Sequence, residues 1–489
     1  MRYIVYFFLF TVASFIIDEL MVYTGRLVVF IQSIIRGLLR GKKKKLRKLF
    51  YYKETKSLYF IFRRILIVFL LFFKIIFQIN KSYKSFIFFF LNSYLVEFIS
   101  IPFLIVACYI SQKSERKIDV GIGPLPIVSH QYQKKAMELY GYKVETYVDQ
   151  VYFITSNFDI RADLFFKKYP FLHHSLLPIF LFVFTIFRYK SLYFYFNGGA
   201  LWRTRILWRL EPHFYRLAGV KTIITAYGGD VQNMSHCDNL LYKTTMSKDY
   251  PGFRMLRNGI EKRIDLWTTS GDHLLGGCDW VKYMYHWDTL VLAHFTVDTH
   301  EWKPPNFKKK NHNMVVFHAP NHVNIKGSRF IINAVEELKS EGYKIELIMK
   351  QKMKHLNIKK LMANVDVVVD QLVVGWYGMF AVEAMALGKP VLCNIDKNLE
   401  NLFIFEGIIK KNNLPVIKCN YDNIKETLKQ LIGKKQRLND IGEKSRSFVM
   451  KYHSLNKMGE VFDQINKKIG VYPRKKLVKK KYEKYKKKL

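Results

Sequence analysis

The stretch GWYGMFAVEAMALGKPVLCNI, residues 375–395, decides the fold. Gly375 and Gly378 bracket an aromatic pair, a helical pattern starts near Met379, and Gly388 and Pro390 close it before an apolar run. That order reads as a glycine loop, a helix and a buried strand. A glycine loop feeding a helix leaves backbone N–H groups free at the helix start, where an anion binds. Glu383 falls one turn into the helix, where a carboxylate accepts hydrogen bonds from the hydroxyls of a sugar or ribose.

Just upstream, MVVFHAP (314–320) reads as a strand and loop. The loop continues through Asn321, His322, Asn324, Lys326 and Gly327, and a helix begins near Ser328 and stops at Gly342. Lys326 beside Gly327 suits a diphosphate, as a point charge next to backbone donors. Further strands are expected at YKIELIM (343–349), VDVVVDQ (365–371) and PVLCNI (390–395), with residues 421–467 mostly helical.

The alternation of short β-branched runs with amphipathic patterns begins at Lys117, as in a parallel α/β sheet. KIDVGIGP (117–124) is a strand running into a loop, HQYQKKAMELY (130–140) a helix, KVETYVD (143–149) a strand and KTIITAYGGD (221–230) a strand with a Gly-Gly loop. LWTTSG (266–271) and TLVLAHF (289–295) continue the strands. LLPIFLFVFTIF (176–187) is short for a bilayer span and reads as a buried or surface-dipping helix leading into a strand. The segment GIGPLPIVSHQ (121–131), with Gly123 and His130, is a weak phosphate-loop pattern. Asp230, after Gly228 and Gly229, orients a hydroxyl or caps the turn. EWKPPNFKKKNHN (301–313) marks a domain boundary.

The chain has 489 residues, half of them hydrophobic, so wholesale disorder is excluded. Its five cysteines are far apart and form no Cys-x-x-Cys pair, which excludes a zinc ribbon and fits a reducing compartment. Lys plus Arg number 79 against 39 Asp plus Glu, a net charge of +40. Nucleic acid, anionic lipid and phosphate-bearing substrates all suit such a charge. The charge gathers at GKKKKLRK (41–48) and in the tail RKKLVKKKYEKYKKKL (474–489), with no nucleic-acid module beside it. An anionic membrane surface is therefore the expected partner, and nucleic acid is not. Apolar runs at 4–17, 20–40, 58–79 and 86–110 make residues 1–116 a hydrophobic, membrane-associated helical region. Only 86–110 has spanning length without a basic residue, and it carries Glu97. The lysines at 42–45 place the following domains on the cytoplasmic side.

Residues 314–395 resemble the donor-binding half of family-4-like glycosyltransferases of the GT-B fold. The residues that carry the resemblance are HAPN (318–321), IKGS (325–328), DVVVDQ (366–371) and GWYGMFAVEAMALGKPV (375–391). A looser resemblance covers 117–305. It implies an α/β chain of two Rossmann-like doubly wound domains facing a cleft: an acceptor-side domain at 117–305 and a nucleotide-sugar donor domain at 306–467, with a basic tail at 468–489. It also implies transfer of a sugar from a nucleotide diphosphate, with retention of configuration, to a glycan or lipid-linked acceptor. Glu383 matches the second of the family's paired glutamates, which grips the donor ribose. Lys326 with Gly327 matches the diphosphate contact, and Gly378 with Met379 the loop facing phosphate and sugar. His318 and Asn321 join the donor-binding set. Asp230, Tyr227 and Asp370 are the catalytic candidates, and Gly123 and His130 the acceptor-side ones. Two positions depart from the pattern: Gly375 stands where the first glutamate is expected, and Tyr227 where the family has a histidine. Those departures keep open a non-catalytic scaffold, and the two-domain fold also admits a nucleotide-sugar epimerase. The chain has no Asp-x-Asp pair, so metal-independent catalysis is expected.

Overall fold

The computed structural model describes residues 81–474 apart from 153–154, 166, 168–169, 253–256, 306–312, 352 and 354. The first three apolar runs, the lysine cluster at 42–45 and nearly all of the basic tail lie outside the described residues.

Helix α1 spans Lys81–Gln112, and from Val96 onward the chain forms one compact unit. Glu97 is buried in α1, and its carboxylate accepts the backbone N–H groups of Arg205, Ile206 and Leu207 at 2.7–3.4 Å. A charge that looks misplaced in an apolar run is an anchor for the turn at Leu207–Arg209. The side of α1 carrying Phe98, Ile99, Phe103, Val106 and Ile110 stays exposed.

The first sheet contains β1 (Ile118–Ile122), β2 (Val144–Val148), β3 (Ile160–Arg161), β4 (Tyr189–Tyr195), β5 (Lys221–Thr225), β6 (His273–Gly276) and β7 (Thr289–Leu290). All pairs are parallel, in the order β3-β2-β1-β4-β5-β6-β7. Its crossovers are α2 (Ser129–Leu139), α3 (Pro170–Arg188), α4 (Glu211–Ala218), α5 (Leu240–Asp249) and α6 (Arg257–Ser270). As expected, residues 176–187 lie in a helix that leads directly into a strand.

The second sheet has β8 (Met314–His318), β9 (Ile345–Met349), β10 (Val367–Val369), β11 (Val391–Cys393) and β12 (Ile417–Lys418) in the parallel order β12-β11-β10-β8-β9. Helices α7 (Val323–Lys326), α8 (Ser328–Ser340), α9 (His355–Met362), α10 (Met379–Ala386), α11 (Lys397–Phe405) and α12 (Ile424–Leu431) connect or flank them. The two doubly wound α/β units implied by the resemblance are therefore present. Each sheet reverses its strand order once, at β1/β4 and at β8/β10. Ligands of open parallel sheets bind beyond the strand ends at such a reversal.

Two expectations change. Residues 266–270 are the end of α6, and the strand starts at His273. Trp267 is fully buried edge-on against Phe194, and the Thr269 hydroxyl donates back to the Asp265 carbonyl at 2.8 Å, as a helical threonine does. The 306–467 segment does not stay on its own sheet. After α13 (Lys435–Tyr452), helix α14 (Leu455–Lys468) lies against α2 of the first unit. Tyr193 donates to Asn466 at 2.9 Å and Tyr142 to Asp463 at 2.8 Å. Gly459 makes the approach possible, because a Cβ there would lie 2.6 Å from the Ala136 carbonyl oxygen.

Gly459→Val should force α14 off α2. Overpacking of this kind costs about 1–3 kcal/mol, so the melting temperature should drop while Gly470→Ala, in open space, is tested only for its backbone strain. An unchanged melting temperature for Gly459→Val would show that the α2–α14 contact is loose.

Candidate functional site

The loops that leave β8 and β10 meet at the reversal of the second sheet. The Lys326 ammonium, at the end of α7, donates to Asp370 Oδ1 at 2.9 Å and to Gln371 Oε1 at 2.7 Å. The Asp370 side chain is fully buried, and its other oxygen accepts the Gly378 N–H at 2.6 Å. The same carboxylate thus fixes the lysine and the loop that starts α10. Gly378 keeps this space open: a Cβ there would lie 3.4 Å from Asp370 and 3.7 Å from Lys326 Nζ. Among the described residues no side chain caps α10. Among the described residues the ammonium uses two of its three N–H bonds, leaving one for a further acceptor. Gly327 adopts φ +75°, a left-handed conformation natural to glycine, and turns the chain from α7 into α8. Lys326, Gly327, Asp370, Gly378 and Met379 therefore come together.

The remaining candidates sit differently. His318 is buried and both ring nitrogens are engaged, Nδ1 with the Val369 carbonyl and Nε2 with the Ser328 hydroxyl, each at 2.9 Å. Burial lowers its pKa to about 4, so the ring is a neutral brace between β8, β10 and α8. Asn321 is exposed at the loop surface. Glu383 is buried on α10 and lies near enough to Tyr132 of α2 to raise that phenol's pKa, after the larger effect of burial.

In the first unit, Asp230 is completely buried. Its Oδ1 accepts the N–H groups of Tyr227 and Gly228 and its Oδ2 that of Phe196, all at 3.0 Å. It ties the loop after β5 to the end of β4, which is the capping alternative rather than a hydroxyl contact. Burial pushes its pKa up to about 7. The Tyr227 hydroxyl accepts from Asn197 Nδ2 at 3.0 Å, and its ring stands edge-on to Tyr195. His130 Nε2 shares a hydrogen bond with the Tyr195 hydroxyl at 2.9 Å, across the β1/β4 reversal. Its Nδ1 is buried without a partner among the described residues, and burial lowers its pKa to about 3. Gly123 serves packing, since a Cβ there would lie 2.1 Å from the Tyr147 carbonyl oxygen.

Gly375 has a local explanation. A Cβ there would lie 2.9 Å from the Asp396 Cβ, so Asp396 occupies the space a side chain would need. Asp396 also accepts the N–H groups of Asn398 and Leu399 at the start of α11 and pairs with Lys282 of the first unit. A carboxylate thus stands beside position 375, supplied from another part of the chain. Asp279, three residues after the end of β6, is buried with its pKa raised to about 6 by burial, against the opposing charges of Lys282 and Lys326. Asp279, Lys282 and Asp396 were not legible as site residues, because their partners lie far away in sequence.

No family model matches the chain, and no curated protein does. Among solved structures, the chain is similar to HepE of Anabaena in complex with UDP-glucose, at TM-score 0.48 and 10% identity over 72% of this chain and 99% of that one. It is similar to sucrose-phosphate synthase of Thermosynechococcus elongatus, at TM-score 0.45 and 11% identity over 72% and 99%. A third likeness is to WaaG, a glycosyltransferase involved in lipopolysaccharide biosynthesis, at TM-score 0.40 and 12% identity over 71% and 99%. These likenesses are distant, and the function of this chain rests on its own geometry.

Asp230 predicts a pH effect on stability. Its carboxyl titrates near 3.8 when unfolded and near 7 when folded, so the native state holds the proton more tightly. Its contribution is present below pH 3.8 and is lost as pH rises towards 7. Between pH 8 and pH 5 the wild type should gain stability relative to Asp230→Asn, read by chemical denaturation. Parallel pH profiles would show that the carboxyl titrates normally.

Proposed function

We propose that the chain is a glycosyltransferase that moves a sugar from a nucleoside diphosphate donor to an acceptor held at a membrane. The observation that carries this is the Lys326–Asp370–Gly378 cluster, a positioned cation beside an uncapped helix start at a topological reversal. The donor diphosphate would take the remaining ammonium N–H and the first amides of α10. As the glycosidic bond to the diphosphate breaks, negative charge grows on the leaving oxygen. Lys326 and the helix start then stabilise the transition state more than the ground state. Asp370 keeps the ammonium in place, as a positioning residue. Retention of configuration and metal independence follow the resemblance, with Lys326 supplying the positive charge.

Membrane attachment is part of the same proposal. Its supports are the apolar runs before residue 81, the basic clusters, and a stretch Tyr94–Gln112 long and apolar enough to cross a bilayer. Each Lys or Arg near an anionic surface contributes about 1 kcal/mol. Assembly of a cell-surface polysaccharide or glycolipid is the pathway class that such a placement suits.

The test is a thermal-shift screen of the full chain against nucleoside diphosphates and their sugars. A ligand at 100 times its Kd adds about 2.7 kcal/mol of stability. One nucleotide should shift the wild type, and Lys326→Gln should lower the ligand-free melting temperature, because Asp370 loses its cation, and should lose most of the nucleotide shift measured from its own ligand-free state. A shift with no sugar transfer to any membrane extract would favour the scaffold reading, which Gly375 and Tyr227 motivate. No shift with any nucleotide would end the donor-site proposal.

A further inference from the structure

A helix on the surface of a protein in water turns its polar residues outward. Helix α1 does the reverse from Val96 onward. Its one acidic group there, Glu97, is buried, while Phe98, Ile99, Phe103, Val106 and Ile110 are 49–62% exposed. Their spacings of three and four residues put them on one helix face. Leu104, Ala107, Cys108 and Ser111 form the opposite face and are buried in the unit. No charged residue stands between Phe98 and Ile110. Large apolar side chains gathered in one stripe mark an interaction surface, as scattered ones do not.

The occupant follows from how α1 is held. At one end Glu97 accepts the amides of Arg205, Ile206 and Leu207. At the other, the Arg116 guanidinium donates to the carbonyls of Ser111 in the helix, Ile186 of α3, and Ala218 and Gly219 at the end of α4. The segment between these anchors, Glu97 to Ser111, is about 20 Å long and has buried residues along its length. Length and composition would let Tyr94–Gln112 cross a bilayer. Anchored in this way, it could cross only by drawing the 205–207 loop and α4 into hydrocarbon, where Arg205 and Arg216 are costly. The stripe can therefore meet lipid only side-on.

Polar groups gather where the stripe ends. The Lys113 ammonium stands 5.2 Å from the centre of the Tyr109 ring, and tyrosine and lysine are the residues that settle at headgroup level. Lys117 follows, and its carbonyl accepts the Arg474 guanidinium at 2.6 Å. The basic tail thus leaves the unit beside the end of α1, with nine lysines after Arg474. A lipid leaflet with anionic headgroups offers hydrocarbon to the stripe and negative charge to the groups beside it.

We infer that α1 lies in the plane of a lipid leaflet, with its Phe98–Ile110 stripe at the boundary of headgroups and acyl chains, and does not cross the bilayer. The inference rests on the membrane attachment proposed above, which it deepens, and is independent of the donor site.

The test uses the full chain in vesicles of phosphatidylcholine and phosphatidylglycerol. Phe98→Cys, Ile99→Cys, Phe103→Cys, Val106→Cys and Ile110→Cys each take a nitroxide. The five native cysteines are buried, so the wild type serves as the blank. Collisions with oxygen and with a nickel chelate give the depth of each label. All five should lie in one shallow band, about 5–10 Å into the headgroup and acyl boundary. A depth that rises and falls along the sequence, with position 103 near the bilayer centre, would show a crossing helix and overturn the inference while leaving membrane attachment in place. Labels open to the nickel chelate in a chain that floats with the vesicles also overturn it, because attachment then lies elsewhere. Dipolar broadening between labels of neighbouring molecules would make a second copy the occupant and overturn lipid. A chain that does not float with the vesicles removes the membrane reading and the inference together, with the nucleotide thermal shift untouched.

Discussion

Lys326 and Asp370 are held 2.9 Å apart at the point where the second sheet reverses its strand order. Removing water from the Asp370 carboxylate is costly, and only a close cation with added hydrogen bonds offsets that cost. The loops from β8 and β10 must therefore end where Lys326, Gln371 and the Gly378 amide converge on it. Gly327 and Gly378 follow as necessities, one for its left-handed turn and the other for the space beside the ion pair. Position 375 obeys a related limit. With Asp396 packed against it, a glutamate there would displace the group that joins the two units through Lys282.

The two units are joined by more than one type of contact. α14 returns to α2, His453 links Tyr377 of the second unit to the Phe295 carbonyl of the first, and Asp249 accepts from Asn324 and the Ile325 N–H. His453 is buried, and burial lowers its pKa to about 4, so it is a neutral link at ordinary pH. Asp249 and Tyr250 hold the very loop that ends at Lys326, so the position of the cation is coupled to the packing between the units. A substitution at either place changes the same loop.

The sequence was legible where chemistry is local. A glycine loop, an amphipathic period and a closing Gly-x-Pro place α10 and its neighbours within a residue or two, and Lys326 beside Gly327 falls at the loop it serves. It was illegible where a polar side chain has two possible employers. Asp230 after two glycines looks the same whether it faces a hydroxyl or three backbone amides, and burial decides for the amides. His318 beside the second motif looks like a ligand until Val369 and Ser328 take both its nitrogens. Glu97 looks like an obstacle to membrane insertion until the amides of 205–207 are found around it. In each case the partner lies in another loop, and no local pattern announces it.

The same reasoning separates the two buried carboxylates that face the first unit's loops. Asp230 has both carboxylate oxygens directed at amides, three hydrogen bonds in all, so it serves as a brace for the backbone. Asp149 has Oδ2 directed at Trp202 and Arg203, and its Oδ1 is buried with no side-chain partner among the described residues. Burial raises the pKa of both, yet only one of them has an unmet bond.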